Sequence, residues 1–123
     1  MKILVVDDEQ DVKTLFEQRF RKEIRSKVVD FVFAFSGKEA LQYIDKLDHE
    51  AILILSDINM PGMSGLELLK EIKQKELVPK PIVMMISAYG DEQNYNTAKS
   101  LGADEFLTKP VDFKLLKEKL QLN

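Results

Sequence analysis

An α/β fold around a parallel sheet is predicted for this 123-residue chain by three observations. Five short apolar runs alternate with five segments of helical periodicity, the pattern of strands joined by crossover helices. The runs are bounded by polar residues, as strands buried between two helical layers are. Two of the helix starts carry the S-x-x-E box, Ser36-Gly-Lys-Glu39 and Ser64-Gly-Leu-Glu67. In that box the Ser and Glu side chains each satisfy a backbone N–H that the helix leaves free.

Taken in order, Ile3-Leu4-Val5-Val6 marks a strand over 2–6, followed by a helix over 10–24. The second strand, over 28–35, alternates Phe31, Phe33 and Phe35 with Val32 and Ala34, so both of its faces are apolar. A helix over 37–47 places Ala40, Leu41, Ile44 and Leu47 on one stripe. Ile52 to Ser56 forms the third strand, over 51–56, and the helix over 64–75 sets Leu66, Leu69 and Ile72 against Lys70, Glu71 and Lys73. Glu76 to Pro81, with two prolines, is a loop, and Ile82 to Ile86 gives a strand over 81–86. Asp91 is placed to cap a helix over 91–101, and Gly102 follows it as a C-terminal glycine does. The last strand, over 104–108, leads to a helix over 112–121 with Asp112 as its cap.

This length fits one domain, 1–123, with a real core. A net charge of −3 argues against non-specific nucleic-acid binding, which depends on clustered cations. The absence of cysteine excludes disulfides, thiolate metal sites and a Cys nucleophile. The first apolar stretch is too short for a signal peptide and no later one reaches transmembrane length, so a soluble cytoplasmic protein without membrane contact is expected.

The residues that end the apolar runs carry the chemistry. Asp7 and Asp8 follow the first, Asp57 the third, Ser87 the fourth and Lys109 the fifth. In an open α/β sheet the carboxyl ends of the strands form the ligand crevice, so these five converge. Three crowded carboxylates raise one another's pKa unless a cation joins them, and a hard divalent ion such as Mg²⁺ with oxygen ligands resolves the conflict. Taken singly, each residue has a plainer reading: Asp7 as a cap, Ser87 as a turn residue, Lys109 as surface, Phe106 as core. Gly62-Met-Ser-Gly65 lacks the Gly-Lys-Ser/Thr of a phosphate-binding loop, and its glycines read as serving a tight turn. Lys114, Lys117 and Lys119 read as a solvated helix face.

Four stretches, each at a strand end and in the right order, resemble the response-regulator receiver domain of two-component signalling. They are Ile3 to Glu9, Ser56-Asp57-Ile58-Asn59-Met60-Pro61-Gly62-Met63-Ser64-Gly65, Ile86-Ser87-Ala88, and Gly102-Ala103-Asp104 through Lys109-Pro110. The resemblance implies a flavodoxin-like doubly wound (βα)5 fold with strand order 2-1-3-4-5 and a cis peptide before Pro110. Asp57 is then the phosphoacceptor, assisted by Lys109 and Ser87. Asp8, Asp57 and the backbone carbonyl of Asn59 hold Mg²⁺, with Asp7 acting through water. Ser87 and Phe106 form the switch, with Phe in place of the Tyr of some members, and Asn59 and Tyr89 tune the phosphoryl lifetime. The same resemblance implies a signalling protein that assists its own phosphorylation and dephosphorylation and is not otherwise an enzyme. Its phosphodonor is a histidine kinase or phosphotransfer protein. Its output is a downstream effector or an effector domain outside this chain, with homodimerisation through the fourth helix, fifth strand and fifth helix as a further possibility.

Two other readings compete. A haloacid-dehalogenase-type phosphatase also uses a strand-end Asp and Mg²⁺, but needs Asp-x-Asp where this chain has Asp7-Asp8-Glu9. A degenerate receiver that only binds would not retain all five competent side chains.

Overall fold

The computed structural model describes residues 1–88 and 90–122. Five parallel strands, β1 (Lys2–Val6), β2 (Asp30–Ala34), β3 (Leu53–Asp57), β4 (Ile82–Ser87) and β5 (Glu105–Thr108), form one sheet in the order β2-β1-β3-β4-β5. Between and after them lie α1 (Asp11–Arg19), α2 (Arg21–Arg25), α3 (Gly37–Asp45), α4 (Gly65–Gln74), α5 (Glu92–Ser100) and α6 (Phe113–Lys119). The expected parallel sheet and strand order are both present.

Side chains alternate across a strand, so each strand serves two cores. Leu4, Val6, Ile54, Val83 and Met85 face Ala40, Ile44, Leu68, Leu69, Ile72 and Ala98 of α3, α4 and α5. Ile3, Val5, Leu53, Leu55, Met84, Ile86 and Leu107 face Phe16, Phe20 and Leu116 on the side of α1, α2 and α6. The helices start as their caps dictate. The side chains of Ser36, Ser64, Asp91 and Asp112 accept from the N–H groups of Glu39, Glu67, Asn94 and Leu115. Gly102, at φ +95°, closes α5 with its N–H donated to the Lys99 carbonyl.

One expected helix is two. The segment read as 10–24 bends at Phe20, whose φ of −109° and ψ of 21° leave the helical region. Helical hydrogen bonding continues through the bend, with Phe20 N–H donating to Phe16 O and Ile24 N–H to Phe20 O, each at 2.9 Å. The bend coincides with an aromatic cluster. Phe20 stacks on Phe16 at 5.9 Å and meets Phe31 edge-on at 4.9 Å, while Phe113 meets Phe16 at 5.1 Å. The connection between α1 and β2, residues 20–29, therefore begins with the short helix α2. β2 is only half-buried because it is the edge strand, although Phe31 and Phe33 serve one core and Val32 and Ala34 the other.

Phe20 is fully buried, and its ring also lies 5.1 Å beneath the Lys117 ammonium. Phe20→Ala is expected to lower stability by about 3–5 kcal/mol, the cost of a large aromatic-to-alanine cavity. Urea denaturation checks this, and a loss below about 1 kcal/mol would show that the cluster does not anchor α1 and α2.

Candidate functional site

β1 and β3 are neighbours in the sheet, and the chain leaves them toward opposite edges, so their carboxyl ends open a crevice. Asp7 enters it directly after β1, its N–H still held by the Ala34 carbonyl at 3.1 Å. Its side chain is buried and accepts the Glu9 N–H at 2.9 Å. Asp8 is exposed at the mouth. Asp57, the last residue of β3, is only 2% exposed, and its Oδ1 accepts from the Asn59 N–H at 3.3 Å. Asp7, Asp8 and Asp57 each offer a carboxylate oxygen within 4.8 Å of the others.

Lys109 crosses from the end of β5, its Nζ 2.7 Å from Asp57 Oδ2 and 3.9 Å from Asp7 Oδ2. Its backbone N–H donates to the Ser87 carbonyl at 2.9 Å, which ties the ends of β4 and β5 together. The peptide to Pro110 is cis, as the family resemblance implies. Ser87 is buried at the end of β4, opposite Thr108 in the register. Phe106 lies in register with Met85, and its ring meets the half-exposed Tyr95 of α5 at 4.5 Å. Thus Asp7, Asp8, Asp57 and Lys109 are in one crevice, with Asn59 and Ser87 at its edges and Phe106 on the adjoining face. Tyr89 lies outside the described residues.

The electrostatics follow from this packing. Burial pushes the Asp7 carboxyl above its ordinary 3.8, the Glu9 N–H opposes that, and the Asp57 charge adds to it. Burial alone would lower the Lys109 ammonium, but the hydrogen bond and charge of Asp57, then the charge of Asp7, raise it above 10.5. Asp7 and Asp57 thus compete for one cation, and Asp8 brings a third carboxylate. Hard oxygen donors at this separation, one protonated more readily than usual, suit a divalent ion of the Mg²⁺ class.

The glycine after the second capping serine has a role that the turn reading missed. A Cβ on Gly65 would strike the Asp57 carbonyl and come within 2.7 Å of Ile58 Cα. The Gly65 N–H instead donates to the Ile58 carbonyl at 2.8 Å, so the start of α4 lies directly on the backbone that carries Asp57. Gly62, at φ +73°, does serve the tight turn. Only the distance between Gly65 and Asp57 in space, not in sequence, separates the two cases.

A family model for the response regulator receiver domain matches residues 3–121. Among solved structures, the receiver domain of the Francisella response regulator 1452 is 30% identical, with a TM-score of 0.78 over 98% of this chain and 93% of that one. The Vibrio cholerae chemotaxis protein CheY4 is 26% identical, with a TM-score of 0.81 over 98% and 96%. The Saccharomyces cerevisiae Ssk1 receiver domain, crystallised with the phosphotransfer protein Ypd1, shares the fold at 22% identity, a TM-score of 0.84 and coverage of 98% and 86%. With the fold, the strand order and nearly the whole length matched, this chain belongs to the response-regulator receiver domain family of two-component signalling.

Proposed function

We propose that the chain is a phosphoacceptor switch in which Asp57 takes a phosphoryl group from a histidine kinase or phosphotransfer protein. The observation that carries this is the buried Asp57 carboxylate, 2.7 Å from Lys109 and grouped with two further carboxylates. In this reading an Asp57 oxygen attacks phosphorus, the O–P bond forms, and the donor's nitrogen–phosphorus bond breaks with its electron pair returning to nitrogen. Lys109 offsets negative charge on the transferring oxygens. The carboxylates of Asp8 and Asp57 and the Asn59 backbone carbonyl would hold Mg²⁺, with Asp7 contributing through water. Bound there, the ion would supply charge neutralisation to the phosphoryl oxygens.

After transfer, the Ser87 hydroxyl donates to a phosphoryl oxygen. Its movement frees space toward Phe106, which leaves Tyr95 and turns inward. That biases the surface of α5, β5 and α6 between two packings, the face an effector or a second copy would read. Asn59, two residues past the acceptor, orients the hydrolytic water that ends the signal. Residues 1–123 act as one receiver unit in the cytoplasm, with the output in a separate effector or effector domain. The donor reaches Asp57 along the open groove between α1 and α6, lined by Val12, Leu15, Phe16, Arg19, Pro110 and Phe113 and beginning at Asp7 and Lys109.

Acetyl phosphate with Mg²⁺ is expected to give one stable adduct on Asp57, and Asp57→Asn to give none while remaining folded. Mass spectrometry decides it: turnover without an adduct would indicate a phosphatase, and an adduct on Asp7 or Asp8 would displace Asp57. Mg²⁺ at millimolar concentration is expected to raise the melting temperature by mass action on the folded state, and Asp8→Ala to reduce that rise. An identical rise in Asp8→Ala would remove Asp8 from the ligand set.

Asp7 binds its proton more tightly in the fold than in the unfolded chain. Its contribution to stability is therefore fully present below pH 3.8 and is lost as pH rises through its higher folded value. Without metal, Asp7→Asn is expected to melt higher than the parent at neutral pH, and the difference to shrink in acid. Equal melting curves at both pH values would show that burial of Asp7 costs the fold nothing.

A further inference from the structure

All three arginines of the chain, Arg19, Arg21 and Arg25, fall within seven residues of one another, while its fifteen other cations are lysines. They line one open pocket of about 500 Å³ together with Lys22, Glu23 and Lys117. Residues 18–27 carry five cations and one carboxylate in a chain whose net charge is −3. That one carboxylate is matched at one oxygen only, its Oε1 being buried without a hydrogen-bond partner. Glu23 Oε2 lies 3.1 Å from Lys117 Nζ. Burial would raise the Glu23 carboxyl, but its own backbone hydrogen bond and Lys117 hold it below the usual range.

None of the arginines makes an ion pair among the described residues. Among the described residues every ion pair is made by a lysine or by His49, and no guanidinium is within 4.0 Å of a carboxylate. Guanidinium forks match carboxylate and phosphate oxygens two at a time, which lysine does not do. A solvated face has no need for that chemistry, and lysine serves such faces elsewhere in this chain. The composition of the pocket therefore suits an anion.

Its position selects the kind of anion. Arg19 lines both this pocket and the apolar groove that starts at Asp7 and Lys109. It is held between them with its guanidinium 5.5 Å from the Phe113 ring. α1 runs from Asp11 to Arg19, about 12 Å at 1.5 Å per residue. A protein helix lying in the groove with its reactive group at Asp57 would thus extend to the arginines two turns away. Single-stranded nucleic acid needs open aromatic faces to stack its bases. Here Phe20 is buried and Phe113 is covered by Arg19.

We propose that the Arg19, Arg21 and Arg25 pocket binds an acidic segment of the phosphodonor protein and selects the partner at a distance from Asp57. This rests on the phosphoacceptor reading above. Charge complementarity of this kind speeds encounter and rejects partners whose matching segment is basic or neutral.

The test uses an octaglutamate peptide as probe on the full chain with Mg²⁺ at low salt, followed by amide NMR. Shifts are expected in residues 18–27 and at Lys117, with binding weakened about tenfold in R19Q/R21Q/R25Q and by added salt. Circular dichroism and urea denaturation establish that the triple variant is folded, and the single variant Arg25→Gln replaces it if it is not. An octaglutamate that moves no amide in 18–27, or that binds the folded variant as well as the parent, overturns the proposal. So does a short DNA duplex or pyrophosphate that binds at these residues more tightly than the peptide, since the site would then serve a different anion. Failure of acetyl phosphate to label the parent at Asp57 overturns the phosphoacceptor reading instead, and leaves the peptide measurement to stand as evidence of an acidic-peptide site alone.

Discussion

The Lys109–Asp57 contact is the constraint around which the rest of the crevice is arranged. Removing a carboxylate from water is costly unless a cation or donors replace the solvent. Asp57 is almost wholly enclosed, and it is accommodated by Lys109 at one oxygen and the Asn59 N–H at the other. That arrangement requires the end of β5 to lie against the ends of β4 and β3. The Lys109 N–H bond to Ser87 and the β3–β4 register secure this. One ammonium among three carboxylates leaves a formal charge of −2, the charge that a divalent cation cancels. The crevice is thus built one cation short by its own residues.

That shortfall connects electrostatics to signalling. An acyl phosphate on Asp57 would replace one carboxylate charge by about −1.5 to −2 and add acceptor oxygens. Lys109 is already bound to Asp57, so the added charge calls for a donor that is nearby and uncommitted to the acid cluster. Ser87 is at the neighbouring strand end and on the same strand face as Met85, opposite which Phe106 stands. In the proposed switch, a displacement of one hydroxyl would be transmitted through a strand to an aromatic ring that rests on a half-exposed partner, Tyr95. A ring packed on one side only is easier to re-seat than one embedded in a core.

Much of this was legible in the sequence because it depends on order and periodicity. The alternation of apolar runs and helical stripes, the Ser and Asp caps, and acids at strand ends all operate over a few residues or through one topological rule. What was not legible depends on packing between distant segments. The bend at Phe20 accompanies rings from β2 and α6 that no local pattern announces. Gly65 looks like a turn glycine until α4 is seen to start on the Asp57 backbone. Lys117 and Lys119, read as a solvated face, are half committed to Glu23 and Glu105. The family resemblance supplied strand order and ligand roles. The residues supplied the reason that such roles belong at these positions.

The chain also has an electrical polarity that its net charge conceals. At about 100° per residue a helix through this segment holds Arg21, Lys22 and Arg25 within one arc of about 100°. These three line one pocket with Arg19, while the acids gather at the opposite end of α1, beginning with Asp7, Asp8, Glu9 and Asp11. A net charge of −3 therefore averages over an acid crevice and a basic pocket joined by an apolar groove. A partner with its own positive and negative ends meets that polarity in one orientation only. Orientation is what in-line transfer to a buried carboxylate demands, because the reacting atoms must be aligned before the barrier falls. In the proposed transfer, the same residues that fold α1 against the aromatic cluster would also set the direction from which a donor approaches Asp57.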